Sequence, residues 1–286
     1  MNLLALSLVL SAAFIHATWN LLAKRAGGGA AFIWLFGALS ALLYAPLAIG
    51  IILFQQPYIG PMQLLFIVGS AIIHVGYYLM LQRGYREGDL SLVYPLARGT
   101  GPMLSTAAAI AFFGERPTAI ALVGALLIGV SVFVLTSGSC LQGGPAVRAG
   151  VRYGLITGSI IACYTLWDKQ AVSVFMIPPL LLDWSTNVTR CILIAPYALR
   201  HWDEVRKEWN NHRREVLGVA ALNPLSYIFV LTALVFTPVS YVAPAREISI
   251  LIGTLFGAKL LSEGDARRRM LAAGGMVAGV IALALG

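Results

Sequence analysis

The sequence predicts an all-α integral membrane protein of ten transmembrane helices, arranged as two inverted five-helix repeats. Three observations carry this. The 286 residues are 59% hydrophobic and only 11% charged, with a mean hydropathy of +0.82, whereas soluble domains carry roughly 25% charged residues. The apolar residues gather into ten long runs: 3–23, 30–54, 62–82, 90–113, 118–137, 151–171, 177–199, 215–236, 239–261 and 268–285. Finally, the chain repeats itself at an offset of 148 to 149 residues. Leu10-Ser11 through Trp19-Asn20 aligns with Gly158-Ser159 through Trp167-Asp168, His74-Tyr77-Tyr78 with Asn223-Ser226-Tyr227, Ser91 and Pro95 with Ser240 and Pro244, and Arg98 and Glu115 with Arg246 and Glu263.

Most runs approach the roughly 20 residues that a helix needs to cross the hydrocarbon. Backbone in lipid must satisfy its own hydrogen bonds, so spans are helices or closed barrels. Barrel strands would show alternation over about ten residues; these runs are unbroken, so helices are expected. The first run has the length of a signal peptide but no preceding Lys or Arg, and its Trp19-Asn20 end recurs mid-chain, so it is read as a retained span.

Charge orients the spans. Of 20 Lys and Arg, only Arg116 and Lys169 fall on the side of the N-terminus, and Arg98, Arg190 and Arg246 fall inside runs. The remainder lie on the far side, which the positive-inside rule makes cytoplasmic, with both termini outside. Five spans per half is an odd number, so the second copy enters from the opposite side. Equivalent loops should then carry opposite bias: the loop after the fourth run has Arg116 alone, and its equivalent has Arg267, Arg268 and Arg269. The first repeat is therefore placed at 1–137, a Gly/Ser-rich flexible linker at 138–150, and the second repeat at 151–286. Between 200 and 215, Trp202, Val205 and Trp209 share one helical face of a basic segment, as in a short amphipathic helix at the cytoplasmic interface.

The formal charge of +8 sits in loops and not in a stripe interleaved with polar residues, which argues against nucleic-acid binding. Cys140, Cys163 and Cys191 are odd in number and scattered, with no disulfide framework or metal spacing. Nucleotide-binding, metal-site and nucleophile-elbow motifs are missing, so an enzyme is not expected and no cofactor is implied. The expected partners are the bilayer and a small-molecule substrate, with a monomer as the default.

Polar and aromatic residues inside the runs are the candidate site. His16, Trp19 and Asn20 share a helical face, as do Tyr164, Trp167 and Asp168. The third and eighth runs add His74, Tyr77 and Tyr78, and Asn223, Ser226 and Tyr227. Such residues face a bundle interior or a wet cavity; interhelical hydrogen bonding and an interfacial aromatic belt are the structural alternatives. Tyr94, Pro95 and Arg98 in the fourth run correspond to Ala243, Pro244 and Arg246 in the ninth. Proline bends a helix, and paired interrupted helices point to a transporter's site and hinges. A buried arginine needs a partner: either a substrate carboxylate or an internal acid among Asp168, Asp183 and Glu247. Asp183, Asn187 and Arg190 form a polar stripe that either faces the cavity or locks the seventh span to its neighbour. The runs Gly124–Gly129 and Ala273–Gly279 are rich in small residues and should pack the two halves together.

Pro95, the segment Phe113-Gly114-Glu115-Arg116-Pro117-Thr118 and the run Gly124–Gly129 resemble the end of an EamA-type half in the drug/metabolite transporter superfamily, and Pro244, Leu261-Ser262-Glu263 and the Gly-rich last run resemble a second. Within the superfamily the chain is most similar to the YddG-type aromatic amino acid exporters. The resemblance implies export of amino acids across the bacterial inner membrane. Trp19, Tyr78, Tyr94, Trp167 and Tyr227 would wall the site, His74 and Asn223 would bond polar substrate groups, Arg98 or Arg246 would meet a carboxylate, and Pro95 and Pro244 would flex. Transport would be passive or proton-linked, with Asp168 or Glu247 as the carrier in the second case. Four-span multidrug relatives use a glutamate in their first helix; the first run here has no carboxylate, which argues against proton-coupled cationic drug efflux. The alternative is export of another small metabolite, a sugar-phosphate-like anion or a drug-like compound.

Overall fold

In a computed structural model, residues 1–26, 29–87, 90–136, 145–252 and 266–286 are described, and no strand occurs among them. The helices are α1 (Leu3–Arg25), α2 (Ala30–Gln55), α3 (Pro61–Glu87), α4 (Leu90–Phe113), α5 (Ala119–Thr136), α6 (Pro145–Ser173), α7 (Pro179–Arg200), α8 (Trp202–Phe236), α9 (Val239–Arg246) and α10 (Ala266–Leu285). Linker residues 138–144 with Cys140, the end of the ninth run and Glu263 lie outside the described residues, as do the side chains of Tyr94 and Pro95.

Stretches of α1, α2, α3 and α8 are long and apolar enough to cross a membrane. The molecule is apolar outside as well as inside: Leu42 and Leu53 on α2, Phe112 on α4, Ile192 on α7 and Leu271 on α10 all stand exposed. Water does not tolerate so much contiguous apolar surface, and hydrocarbon does.

Local chemistry sets the helix ends. Proline opens α3, α6 and α7, where its missing N–H removes a donor that would have no partner anyway. After α4 the chain turns at Gly114 (φ 65), a left-handed conformation that costs glycine nothing. Pro145 to Gly150, read from the sequence as linker, instead form the first turns of α6. The amphipathic segment before the eighth span is helical and continuous with it; only a kink at His212 (φ −128, ψ 30) separates the two parts of α8. Its Val205 is buried against Ala31 and Ala198.

Interhelical packing is dominated by α4 with α6, α5 with α10, α1 with α8, α3 with α6 and α2 with α7. α5 and α10 cross where a Cβ on either Gly124 or Gly279 would lie 2.7 Å from the other's carbonyl oxygen. α9 is short. Pro244 has no N–H to continue the ladder, the backbone turns at Glu247, and residues 248–252 are helical again. At its other end, the Glu115 carboxylate accepts hydrogen bonds from the backbone N–H of Val239 (2.8 Å) and Ser240 (2.9 Å). This anionic cap satisfies first-turn donors and favours the helix dipole. α9 is thereby anchored to the α4–α5 loop and delivers Arg246 to the centre of the bundle.

Candidate functional site

A cavity of about 100 Å3 opens among α1, α3, α4, α6, α7, α8 and α9. Its polar lining makes it a wet space, in contrast to dry voids walled by aliphatic side chains.

One wall is aromatic. His74 stacks on Tyr164 with centroids 4.4 Å apart. Tyr227 meets the same imidazole edge-on at 5.6 Å, and Tyr77 meets Tyr164 edge-on at 5.8 Å. His74 Nδ1 lies 2.9 Å from the Ser70 carbonyl oxygen, which fixes the ring's rotation. The Tyr227 hydroxyl donates to Asp168 Oδ2; Asp168 is fully buried behind the ring, and its Oδ1 has no hydrogen-bond partner among the described residues. Trp19 lies across from these rings, its Nε1 donating to Ser226 Oγ at 3.2 Å. Asn223 completes this side of the lining.

A second wall is cationic. Arg98 of α4 and Arg246 of α9 are both buried, and both approach Glu247 Oε1, at 3.6 and 3.7 Å. Arg98 also donates to His16 Nε2. One carboxylate thus serves two guanidinium groups, and among the described residues Nε and Nη2 of Arg246 have no hydrogen-bond partner. Pro244 and Glu247 border a separate void of about 10 Å3 against α4 and α5, outside the main cavity.

The third wall is α7, where Asp183, Thr186, Asn187 and Arg190 all face the cavity. Their spacing of i, i+3, i+4 and i+7 puts them on one helical face. Arg190 Nη1 donates to the Tyr78 hydroxyl at 3.3 Å, and its guanidinium lies 5.3 Å from the centroid of that ring and 5.7 Å from that of Phe36. The sequence displayed this stripe without deciding its direction.

Of the residues singled out from the sequence, Trp19, His74, Tyr78, Arg98, Asn223, Tyr227 and Arg246 come together around the cavity. Trp167 is placed elsewhere. It stacks on Phe66 at 4.4 Å and donates Nε1 to the Phe66 carbonyl oxygen at 2.8 Å, over Gly69. Asp168 and Glu247 stand behind the lining, and among the described residues the Asn20 side chain bonds only back to the His16 carbonyl oxygen, at 2.8 Å. Besides the α7 stripe, the lining includes His16, Tyr77, Tyr164 and Ser226, all of which had been visible as members of the repeated polar-aromatic faces.

A crystal structure with a chain 15% identical to this one superposes with a TM-score of 0.75 over 98% of both chains, which shows a shared fold. A search of curated proteins found no match. Residues 3–137 match the EamA-like transporter family, whose members are transporters rather than enzymes; with the apolar helices, that match points to small-molecule transport by a multi-pass membrane protein.

Proposed function

We propose that the chain is an alternating-access exporter of amino acids with a preference for aromatic ones. In this reading it has ten spans in two inverted repeats, 1–137 and 151–286, joined by 138–150. It sits in the bacterial cytoplasmic membrane with both termini outside the cytoplasm.

The observation that carries the reading is the cavity itself. Aromatic rings from α1, α3, α6 and α8 surround it, and an arginine with unused donors stands at its edge. Rings offer stacking surfaces to an aromatic side chain. Guanidinium groups suit a carboxylate through paired, charge-assisted hydrogen bonds. The packing is consistent with a duplicated unit: exchanging the first five helices for the second five turns α1 on α8 into α6 on α3 and leaves α2 on α7 and α5 on α10 unchanged. Trp19, Tyr78, Tyr94 and Tyr227 would contact the side chain, His74 and Asn223 its polar groups, and Pro95 and Pro244 would bend as the halves exchange. If export is coupled to protons, Asp168 is the better carrier, because Glu247 is committed to two arginines.

In proteoliposomes, preloaded tryptophan or phenylalanine should leave faster than from protein-free vesicles, and Tyr78→Ala should slow that efflux about tenfold. Equal efflux from both kinds of vesicle for every amino acid would remove the reading. Cysteines introduced at positions 24 and 267 should label from the same, cytoplasmic face; labelling from opposite faces would rule out the inverted arrangement.

A further inference from the structure

We propose that Asp183 is the ammonium-binding group of the cavity, so that the substrate class is the α-amino acid zwitterion and not a carboxylate or an amine alone. This rests on the transport reading of the same cavity and names the anionic group of its lining.

Asp183 is 7% exposed, and the cavity is what it faces. Its Oδ2 accepts one hydrogen bond, from Asn187 Nδ2 at 2.9 Å. Among the described residues no cationic nitrogen lies within 4 Å of it, since the ion pairs there involve Arg98, Arg152 and Arg246. Tyr44, on the neighbouring α2, donates instead to the Ala221 carbonyl oxygen at 2.6 Å. Arg190, seven residues further along the same helix, attracts it electrostatically but makes no direct ion pair with it within 4 Å. Its guanidinium is occupied by the Tyr78 hydroxyl and by Asn187 Oδ1. Asn187 therefore stands between the two charged groups, accepting from Arg190 and donating to Asp183, so that their attraction acts across an amide and not through a direct ion pair.

A carboxylate buried to this degree without a cation is costly. At Arg246 the cost has the opposite sign. Arg98 and Arg246 both approach the carboxylate of Glu247, and among the described residues Nε and Nη2 of Arg246 have no hydrogen-bond partner. The two groups stand on different elements: α7 packs mainly on α2, α3 and α8, and α9 mainly on α4 and α5, with α8 touching both. The cavity lining thus carries an anionic pole at Asp183, with Arg190 linked to it only through Asn187, and a cationic pole at Arg246, with aromatic rings in the same lining. A zwitterion satisfies both poles at once: its carboxylate takes the donors of Arg246, and its ammonium, with three donors, takes Asp183. A substrate lacking either charge leaves one pole buried and unpaired, which is the strongest form of rejection available to a binding site.

Binding to the detergent-purified full chain tests this, read by tryptophan fluorescence with L-phenylalanine, 3-phenylpropionate and phenethylamine as probes. Wild type should bind phenylalanine at least tenfold more tightly than either analogue. Asp183→Asn should weaken phenylalanine at least tenfold and change 3-phenylpropionate less than twofold, so that the preference collapses while the unchanged probe reports an intact fold. Asp183→Glu should restore most of the preference. Equal weakening of both probes in Asp183→Asn, unchanged phenylalanine affinity, or a sodium requirement in wild type that this substitution abolishes would each overturn the assignment alone. No phenylalanine binding by wild type would overturn the assignment and the transport reading together.

Discussion

The sequence aligns Trp19 with Trp167 at an offset of 148 residues, yet on the α1–α8 and α3–α6 pairs these two tryptophans have different fates. Trp167 fills the groove over Gly69, where a Cβ would lie 2.5 Å from its ring. The matching glycine on α8 is Gly218, and there the space is filled by Leu22, whose Cδ1 would lie 2.6 Å from an added Cβ. With that groove taken by an aliphatic neighbour, Trp19 faces the cavity and bonds Ser226. The acid and amide one residue further on diverge as well: Asp168 anchors Tyr227 from behind, while Asn20 bonds only its own helix. Two similar faces in the sequence are thus used differently: packing assigns one to the cavity and commits the other to holding helices together.

Substitutions at the two tryptophans would break this comparison most sharply. Trp167→Ala should cost about 3–5 kcal/mol, because it empties a packed groove between α3 and α6, and should lower the detergent Tm by several degrees. Trp19→Ala should leave Tm nearly unchanged and slow amino acid efflux about tenfold. The reverse pattern would mean that the wrong face has been assigned to the cavity.

The glycines give a smaller contrast. Gly69→Ala pushes a methyl against a rigid indole and should cost about 1–3 kcal/mol. Gly218→Ala meets only the end of a flexible leucine and should cost less than about 1 kcal/mol, read as the difference in Tm between the two variants. The carboxamide and carboxylate give the smallest. Asp168→Ala leaves the Tyr227 hydroxyl without its acceptor and should cost about 1–3 kcal/mol, whereas Asn20→Ala should fall within about 0.5 kcal/mol of wild type. Equal losses for the latter pair would show that Asn20 has an interhelical role that its bond to His16 does not reveal.

Much of the candidate site was legible in the sequence, because polar side chains inside apolar runs are rare and their helical spacing shows which ones share a face. His74, Tyr78, Asn223 and Tyr227 were found in this way. The α7 stripe from Asp183 to Arg190 was seen but not oriented: a helix with one polar face looks the same whether that face meets a cavity or a neighbour. Trp167 was grouped with Trp19 because the repeat makes them equivalent; the groove at Gly69 depends on how closely α3 approaches α6, which no local pattern records. The kinked continuity of α8 and the early start of α6 at Pro145 depend likewise on packing beyond the apolar runs.

By itself the sequence determined that this chain is helical and apolar, and which side chains had to be kept out of lipid, because hydrocarbon penalises every unpaired polar group and so writes its demands into composition and period. Only the tertiary structure decided which of those side chains meet. Glu247 lies between two arginines, Asn187 separates Asp183 from Arg190, and one tryptophan of an equivalent pair faces the cavity. Each outcome turns on distances of a few ångströms between helices far apart in the chain, and such distances are set by the packing of the whole bundle.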